Sequence, residues 1–144
     1  MKIIKVTTDN IITIHDYPKG SMCEQDRAIN NLIGNHCSLY ECVHPVRLYR
    51  EFGMSMMGAF APACTGICML VDEEGLSKEE TAPNPIGSYL YETDRHGAPI
   101  MGNILLVGER WENEGISLCG IPEGVFETLY QRVEWFAGKV REQK

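Results

Sequence analysis

The sequence predicts an α+β domain built on a mostly antiparallel sheet. Three observations lead to this prediction. Short runs rich in β-branched residues recur along the chain and are separated by turn residues, which is typical of strands. One helical segment follows the first pair of runs, and the chain ends in a long segment whose apolar residues recur three and four positions apart. That spacing predicts an amphipathic helix, which we expect to pack on the sheet.

Length and composition indicate one domain over residues 1–144. Of the 144 residues, 44% are hydrophobic and 23% are charged, which are ordinary proportions for a globular protein. Chains of this size bury about 68–70% of their unfolded surface, so a core can form. The net charge of −7 argues against a protein that binds a nucleic-acid backbone, because such proteins carry clustered Lys and Arg.

The N-terminal segment and the cysteines favour a cytoplasmic setting. The segment MKIIKVTTDN lacks the apolar core of about 7–15 residues that a signal peptide needs. The longest apolar run, ICMLV, has five residues, so we expect no membrane span, which would need roughly 18. The six cysteines are then expected to be reduced thiols rather than disulfides.

The first third of the chain is predicted to form a hairpin followed by a helix. Residues 3–8 and 11–16 are β-rich runs on either side of an Asp-Asn turn. Ser21 and Glu24 predict a capping box at the start of the helix, and Gly34 suits the position just past its end. The apolar stripe of this helix is predicted to contain Met22, Ala28, Ile29 and Leu32.

Strands and loops are predicted for the middle of the chain. Residues 37–49 form a β-rich segment that Pro45 interrupts, which suits an edge strand or a break between two short strands. Residues 53–63, GMSMMGAFAPA, are predicted to be an ordered loop or lid, with an oligomer contact as the alternative. Residues 67–72 are predicted to be a buried strand, after which Gly75 is expected to take a positive φ in a turn.

The last third is predicted to contain a second hairpin and a long helix. Residues 87–93 and 100–108 would be its arms, joined by a turn over residues 94–97. The run ILLV is apolar at both parities, so the second arm is expected to lie centrally in the sheet. Pro122 suits the first helical position. The apolar face of the final helix is predicted to contain Phe126, Leu129, Tyr130, Val133, Phe136, Ala137 and Val140.

Cysteine and histidine side chains that could bind zinc lie in the first half of the chain. They are His36, Cys37, Cys42, His44, Cys64 and Cys68. Within a strand, Cys42 and His44 would share a face, and so would Cys64 and Cys68. However, the spacing lacks a compact two-residue knuckle, and free cysteines commonly pack as small apolar residues. We therefore predict no bound metal and no cofactor. A nucleophilic role would best suit Cys119, just ahead of the final helix.

Asparagine, serine and tyrosine side chains gather around the second predicted hairpin, where they suit recognition of a small planar molecule. Together with one arginine, the predicted ligand-binding residues are Arg47, Asn84, Ser88, Tyr89, Tyr91 and Asn103. Arg47, Arg50 and Arg95 could also clamp a small anion. The alternative for Tyr89 and Tyr91 is ordinary packing on one face of the hairpin. No catalytic residue is predicted.

Four stretches of the sequence carry a family resemblance: LYECVHPVRLY, MLVDEEGL, PNPIGSYLYETDRHGAPIMGNILLVGE and ISLCGI. Over nearly the whole chain they resemble an uncharacterised family, domain of unknown function 3846. The resemblance implies an accessory protein of a phage or another mobile genetic element, located in the cytoplasm of a bacterial host cell and acting in counter-defence. It supplies no established catalytic residues.

Taken together, these observations favour a non-enzymatic binding protein. It would bind a host protein or sequester a small, nucleotide-like signalling ligand. Two alternatives stay open. One is a small enzyme that depends on Cys and His or on zinc. The other is a structural module that forms a homo-oligomer through the apolar loop or the last helix.

Overall fold

Six antiparallel strands form one sheet in the described part of the chain, which in this computed structural model comprises residues 1–44, 46–51, 65–112 and 115–142. The strands are β1 (Lys2–Val6), β2 (Ile12–Asp16), β3 (Tyr40–Val43), β4 (Thr65–Asp72), β5 (Ile104–Glu112) and β6 (Gly115–Cys119). Their order across the sheet is β2-β1-β5-β4-β3, and β6 also pairs with β5. The prediction of an α+β fold with a mostly antiparallel sheet is confirmed.

Helices cover both faces of this sheet. Within the described residues they are α1 (Met22–Ile33), α2 (Val46–Glu51), α3 (Pro85–Leu90), α4 (Thr93–His96) and α5 (Glu123–Glu142). Helix α1 packs on one face, whereas α2, α3 and α5 contribute to the core on the other face. The predicted packing of the C-terminal helix on the sheet is thus confirmed. No described helix is long and apolar enough to cross a membrane.

Side chains of the central strand β5 alternate between the two faces and enter two separate apolar clusters. Leu106 joins the cluster that contains Val133 of α5. Its neighbour Leu105 joins the cluster that contains Ile33 of α1. Both leucines have no exposed surface. The apolar run ILLV therefore occupies a strand that is covered on both faces, as its sequence predicted.

The start of α1 agrees with the predicted capping box. The Glu24 amide donates to the Ser21 hydroxyl at 3.2 Å, and the Ser21 amide donates to the Glu24 carboxylate at 3.3 Å. Gly34 ends the helix with a φ of 78°, which costs glycine little. The buried stripe differs from the prediction, however. Its fully buried members are Ile29 and Ile33, while Met22 is 79% exposed.

The predicted hairpin over residues 87–93 and 100–108 is wrong in its first arm, which forms α3 and the start of α4. Asn84 caps α3 because its side chain accepts a hydrogen bond from the Gly87 amide at 2.8 Å. Pro85 occupies the first turn, where its fixed φ is already helical. These two start signals outweigh the strand propensity of the tyrosines that follow. The second arm does form a strand, β5.

Two further predictions need correction. After residue 45 the chain forms α2 instead of a second short strand, although β3 is the edge strand that the interrupted pattern favoured. Gly75 does not have a positive φ. It is buried, and a Cβ atom there would lie 3.0 Å from the Met101 carbonyl oxygen, so the close approach of the two backbone segments favours glycine. The Met-rich residues 53–63 lie outside the described residues.

Strands β1 and β6 share one edge of β5, and glycines allow them to meet. β1 pairs with residues 104–106, and β6 pairs with residues 108–112. At the junction, a Cβ atom on Gly108 would collide with the Gly120 carbonyl oxygen, and one on Gly120 would collide with Met1. Both positions therefore require glycine because the backbone segments approach so closely.

We expect Gly108→Ala to destabilise the fold by about 2 kcal/mol or more, since overpacking forces the backbone to shift. Gly138 in α5 is the matched control, because an added Cβ atom meets nothing within 4 Å there. Gly138→Ala is expected to stabilise the protein by roughly 0.5–1 kcal/mol through higher helix propensity. Urea unfolding measures both free energies. Changes of the same sign in the two variants would contradict the close approach at Gly108.

Candidate metal centre

Three neighbouring strands place chemically reactive side chains on the same face of the sheet, the face that α1 partly covers. Cys42 of β3 pairs with Leu70 of β4. Cys68, two residues before Leu70, pairs with Val107 of β5. Side chains two residues apart on a strand share a face. Glu109, two residues after Val107, therefore lies on the same face as Cys42 and Cys68.

His44 completes the cluster from the residue that follows β3. It lies two residues after Cys42, and its Nε2 atom is 3.8 Å from the Cys42 Sγ atom. The same Nε2 atom lies 2.7 and 2.9 Å from the two carboxylate oxygens of Glu109. One ligand atom from each of Cys42, His44, Cys68 and Glu109 lies within 4.8 Å of all the others. The four side chains thus converge on one point.

Burial is uneven across the cluster. Cys68 has no exposed surface and Glu109 is 1% exposed, so both form its floor. Cys42 is half-buried, and 37% of the His44 side chain is exposed, so these two form its solvent side. A carboxylate buried as deeply as Glu109 loses several kcal/mol of hydration unless a positive partner compensates it. In this structure the His44 Nε2 atom donates a hydrogen bond to the Glu109 carboxylate.

The two thiols have opposite acidities. The Cys68 thiol faces Cys42 as a hydrogen-bond donor and, together with His44, lowers the pKa of Cys42, although burial opposes this shift. The hydrogen bond with Cys42 and complete burial raise the pKa of Cys68 well above its usual value. Cys42 is therefore the sulfur that ionises first and the first soft ligand that the cluster offers.

The geometry does not suit a cysteine–histidine–carboxylate relay. In such a relay the base uses one ring nitrogen toward the nucleophile and the other toward the carboxylate. Here Cys42 and Glu109 both approach the Nε2 atom of His44. A single nitrogen cannot take a proton from the thiol while it donates one to the carboxylate. Convergence of several donors on one point is instead what a metal ion requires.

Three of the six zinc candidates from the sequence come together here: Cys42, His44 and Cys68. Cys37 does not join them, since its thiol donates to the Asn30 side chain at 3.4 Å. His36 is exposed in the turn after α1, and Cys64 lies outside the described residues. Glu109 was missed. The sequence does indicate that Glu109 shares a face of its strand with the apolar residues Leu105 and Val107. That acidic residue on a buried face can be assigned to the cluster only once the strand register is known.

The predicted ligand-binding residues do not form one site. Arg47, Ser88 and Tyr89 line an open depression of about 500 Å³ between α2, α3 and α4, together with Arg50. The Arg47 guanidinium lies 4.6 Å from the centre of the Tyr89 ring and donates to Asp94 at 3.0 Å. Part of its hydrogen-bonding capacity is therefore used within the protein.

Arg50 and Arg95, the other two arginines of the predicted anion clamp, meet a carboxylate of the chain itself. They lie 3.8 and 3.6 Å from the carboxylate oxygens of Glu92, and Arg47 lies 4.0 Å away. Glu92 is 8% exposed and has a left-handed φ of 61°. The three cations that the sequence grouped do converge, and Glu92 neutralises part of their charge.

The asparagines of the predicted site hold the backbone instead of lining the depression. The Asn84 amide donates to the carbonyls of Val6 and Gly102 at 3.0 Å each. Asn103 accepts from the Thr8 amide at 3.2 Å and donates to the Ile33 carbonyl at 2.9 Å. Tyr91 is half-buried against the core and lines a different, smaller cavity.

No protein-family model, no curated protein and no solved structure matches this chain. The resemblance to domain of unknown function 3846 and its mobile-element setting therefore stay predictions.

Asn84→Ala is expected to destabilise the protein by about 2–4 kcal/mol, because it removes three buried hydrogen bonds, two to carbonyls and one from an amide. Asn84 has no exposed surface, so water cannot replace these bonds readily. Ser88→Ala serves as the comparison, since Ser88 is half-buried and its hydroxyl bonds with the backbone of Ile100. Thermal unfolding should rank the alanine variant of Asn84 well below that of Ser88. A loss smaller than that of Ser88→Ala would contradict the structural role of Asn84.

Proposed function

We propose that this chain binds a divalent transition metal ion of the zinc class through Cys42, His44, Cys68 and Glu109. The observation that carries the proposal is the convergence of their four donor atoms within 4.8 Å. Two sulfurs, one imidazole nitrogen and one carboxylate oxygen are all donors that zinc accepts. Two soft sulfur ligands disfavour Mg²⁺ and Ca²⁺, which prefer oxygen.

The hydrogen bond between His44 and Glu109 explains why Glu109 would be a ligand too. When a metal takes the Nε2 atom of His44, that nitrogen can no longer donate to the Glu109 carboxylate. The carboxylate, at 1% exposure, would then be a buried charge without a partner unless it also binds the ion. The metal in effect replaces the proton that the two groups share, and it satisfies both at once.

Only small movements are needed for coordination. With bonds of about 2.0–2.3 Å, the ligands of a tetrahedral zinc ion lie about 3.3–3.8 Å from one another. His44 and Glu109, now 2.7 Å apart, would separate by roughly 0.6 Å, and the more distant donors would move inward by roughly 1 Å. Since all four positions are protein ligands, we assign the ion a structural role that joins the edge strand β3 to β4 and β5.

Reduced protein is expected to bind one zinc ion per chain, which elemental analysis after gel filtration measures. Cobalt(II) in its place should give the sulfur-to-metal charge-transfer bands and intense visible bands of a tetrahedral thiolate site. Cys68→Ala and Glu109→Gln are each expected to weaken zinc binding by at least about tenfold. Replacing a residue that only hydrogen-bonds to a metal ligand already lowers metal affinity by that factor.

Cys23→Ser is the matched control for these variants, because Cys23 is exposed on α1. Its zinc stoichiometry and cobalt spectrum should equal those of the parent protein. If the parent binds no zinc at micromolar concentration, or if Cys68→Ala binds it as tightly, the proposed site is wrong.

A second candidate function is the sequence hypothesis of ligand recognition, placed at the depression that Arg47, Ser88 and Tyr89 line. A run of ring contacts beside that depression supports it. Tyr89, 40% exposed, contacts Phe136 at 5.5 Å, which contacts Trp135 at 5.1 Å. Aromatic faces flanked by cations suit a planar anion. Binding of a nucleotide-like signal or of a host protein in counter-defence is the biological role we propose for this surface.

Isothermal titration with cyclic nucleotides and ADP-ribose compounds tests the small-ligand version. We expect one member of the panel to bind with 1:1 stoichiometry, and Arg50→Ala to weaken it at least about tenfold, the loss of one hydrogen bond to a charged group. The Arg50 side chain is 56% exposed, so it can reach an anion. Arg27 is exposed on α1, so Arg27→Ala is the control and should leave the affinity for that ligand unchanged. Absence of heat with every compound would contradict the small-ligand version of this candidate.

A further inference from the structure

The metal cluster contains two sulfur atoms of unequal accessibility, side by side on adjacent strands. Cys42 is half-buried on the edge strand β3, which within the described residues pairs only with β4. Cys68 has no exposed surface and lies on the interior strand β4. A thiol that solvent can reach next to a second, shielded thiol is the usual arrangement of a redox-sensitive pair.

We propose that a peroxide oxidises Cys42 and Cys68 to a disulfide and thereby releases the metal ion from this site. The release part of the proposal rests on the proposed metal binding. The thiol part rests on the geometry of the two cysteines alone. Cys42 is the site of attack because the oxidant can reach it, and Cys68 is the resolving thiol because it lies within 4.8 Å and is shielded.

Hydrogen peroxide is the only oxidant that the reaction needs, and solvent supplies two protons. The Cys42 sulfur attacks one peroxide oxygen, its bond to the metal and the O–O bond break, and the sulfur becomes a sulfenic acid while the leaving hydroxide takes a proton to become water. The Cys68 sulfur then leaves the metal and attacks the Cys42 sulfur, the S–O bond breaks, and a second hydroxide leaves and is protonated to water as the S–S bond forms. The two sulfurs together lose two electrons, which the peroxide gains, and the metal keeps its oxidation state.

Disulfide formation would remove two of four ligands at once. An S–S bond is about 2.05 Å long, so sulfurs that lie within 4.8 Å must approach further, by rotation of the side chains and movement of β3. Strand β3 has four residues and lies at the edge of the sheet, so among the described strands its movement disturbs only the pairing with β4. His44 and Glu109 alone then hold the ion weakly, since affinity depends on the number of ligands.

Treatment of the zinc-loaded protein with measured equivalents of hydrogen peroxide tests the proposal. A chromogenic chelator reports zinc release, and peptide mass spectrometry without reduction reports a Cys42–Cys68 link through its loss of two hydrogens. We expect one zinc ion released per disulfide formed, and dithiothreitol should restore both thiols and zinc binding. Cys23→Ser, altered at an exposed cysteine of α1, should behave as the parent protein does.

The variant Cys68→Ala separates the two steps. Without the resolving thiol, Cys42 is expected to stop at the sulfenic acid, which dimedone traps and mass spectrometry locates. If the zinc-loaded protein keeps both thiols and its metal under peroxide, or if oxidation links other cysteines, the proposal is wrong while metal binding stands. If the parent protein fails to bind zinc but peroxide still links Cys42 to Cys68, the metal site is wrong while the redox pairing of the thiols stands.

Discussion

The register of β4 against β5 is the constraint on which the other features depend. It places Cys68 opposite Val107 and Leu70 opposite Leu105, and therefore decides which side chains enter each of the two apolar clusters. A shift by one residue would turn every side chain of β5 to the other face. Leu105 would then face α5, and Glu109 would leave the cysteines. The same register that builds the core thus builds the candidate metal centre.

Glu109 is the residue that gives this register a chemical consequence. It continues a face of β5 whose earlier members, Leu105 and Val107, are fully buried, and its carboxylate is buried with them. Such a charge destabilises the fold unless it has a partner. The edge of the sheet supplies one in His44, the residue that follows β3. The protein thereby keeps a carboxylate group in its interior beside two sulfurs, a set of donor atoms that favours a zinc-class ion over Mg²⁺ or Ca²⁺.

Local signals in the sequence were sufficient where the interactions are local. The capping box of Ser21 and Glu24 and the face of α5 follow from spacings of three and four residues within one helix. Over residues 87–93, tyrosine and leucine favoured a strand, and the prediction was wrong. The Asn84 side chain that caps α3 is held by hydrogen bonds to the carbonyls of Val6 and Gly102. Both carbonyls lie outside the helix and far along the chain, so the local sequence did not reveal them.

The candidate site shows the same division. The sequence by itself determined that cysteine and histidine ligands are present, that Cys42 and His44 share a face, and that β4 and β5 are buried. Each of these depends only on residue type and on the two-residue period of a strand. Only the tertiary structure decided that Cys68 and Glu109 join them and that Cys37 does not. The physical reason is that contacts between strands depend on register and strand order, which arise from packing of the whole sheet against α1 and α5.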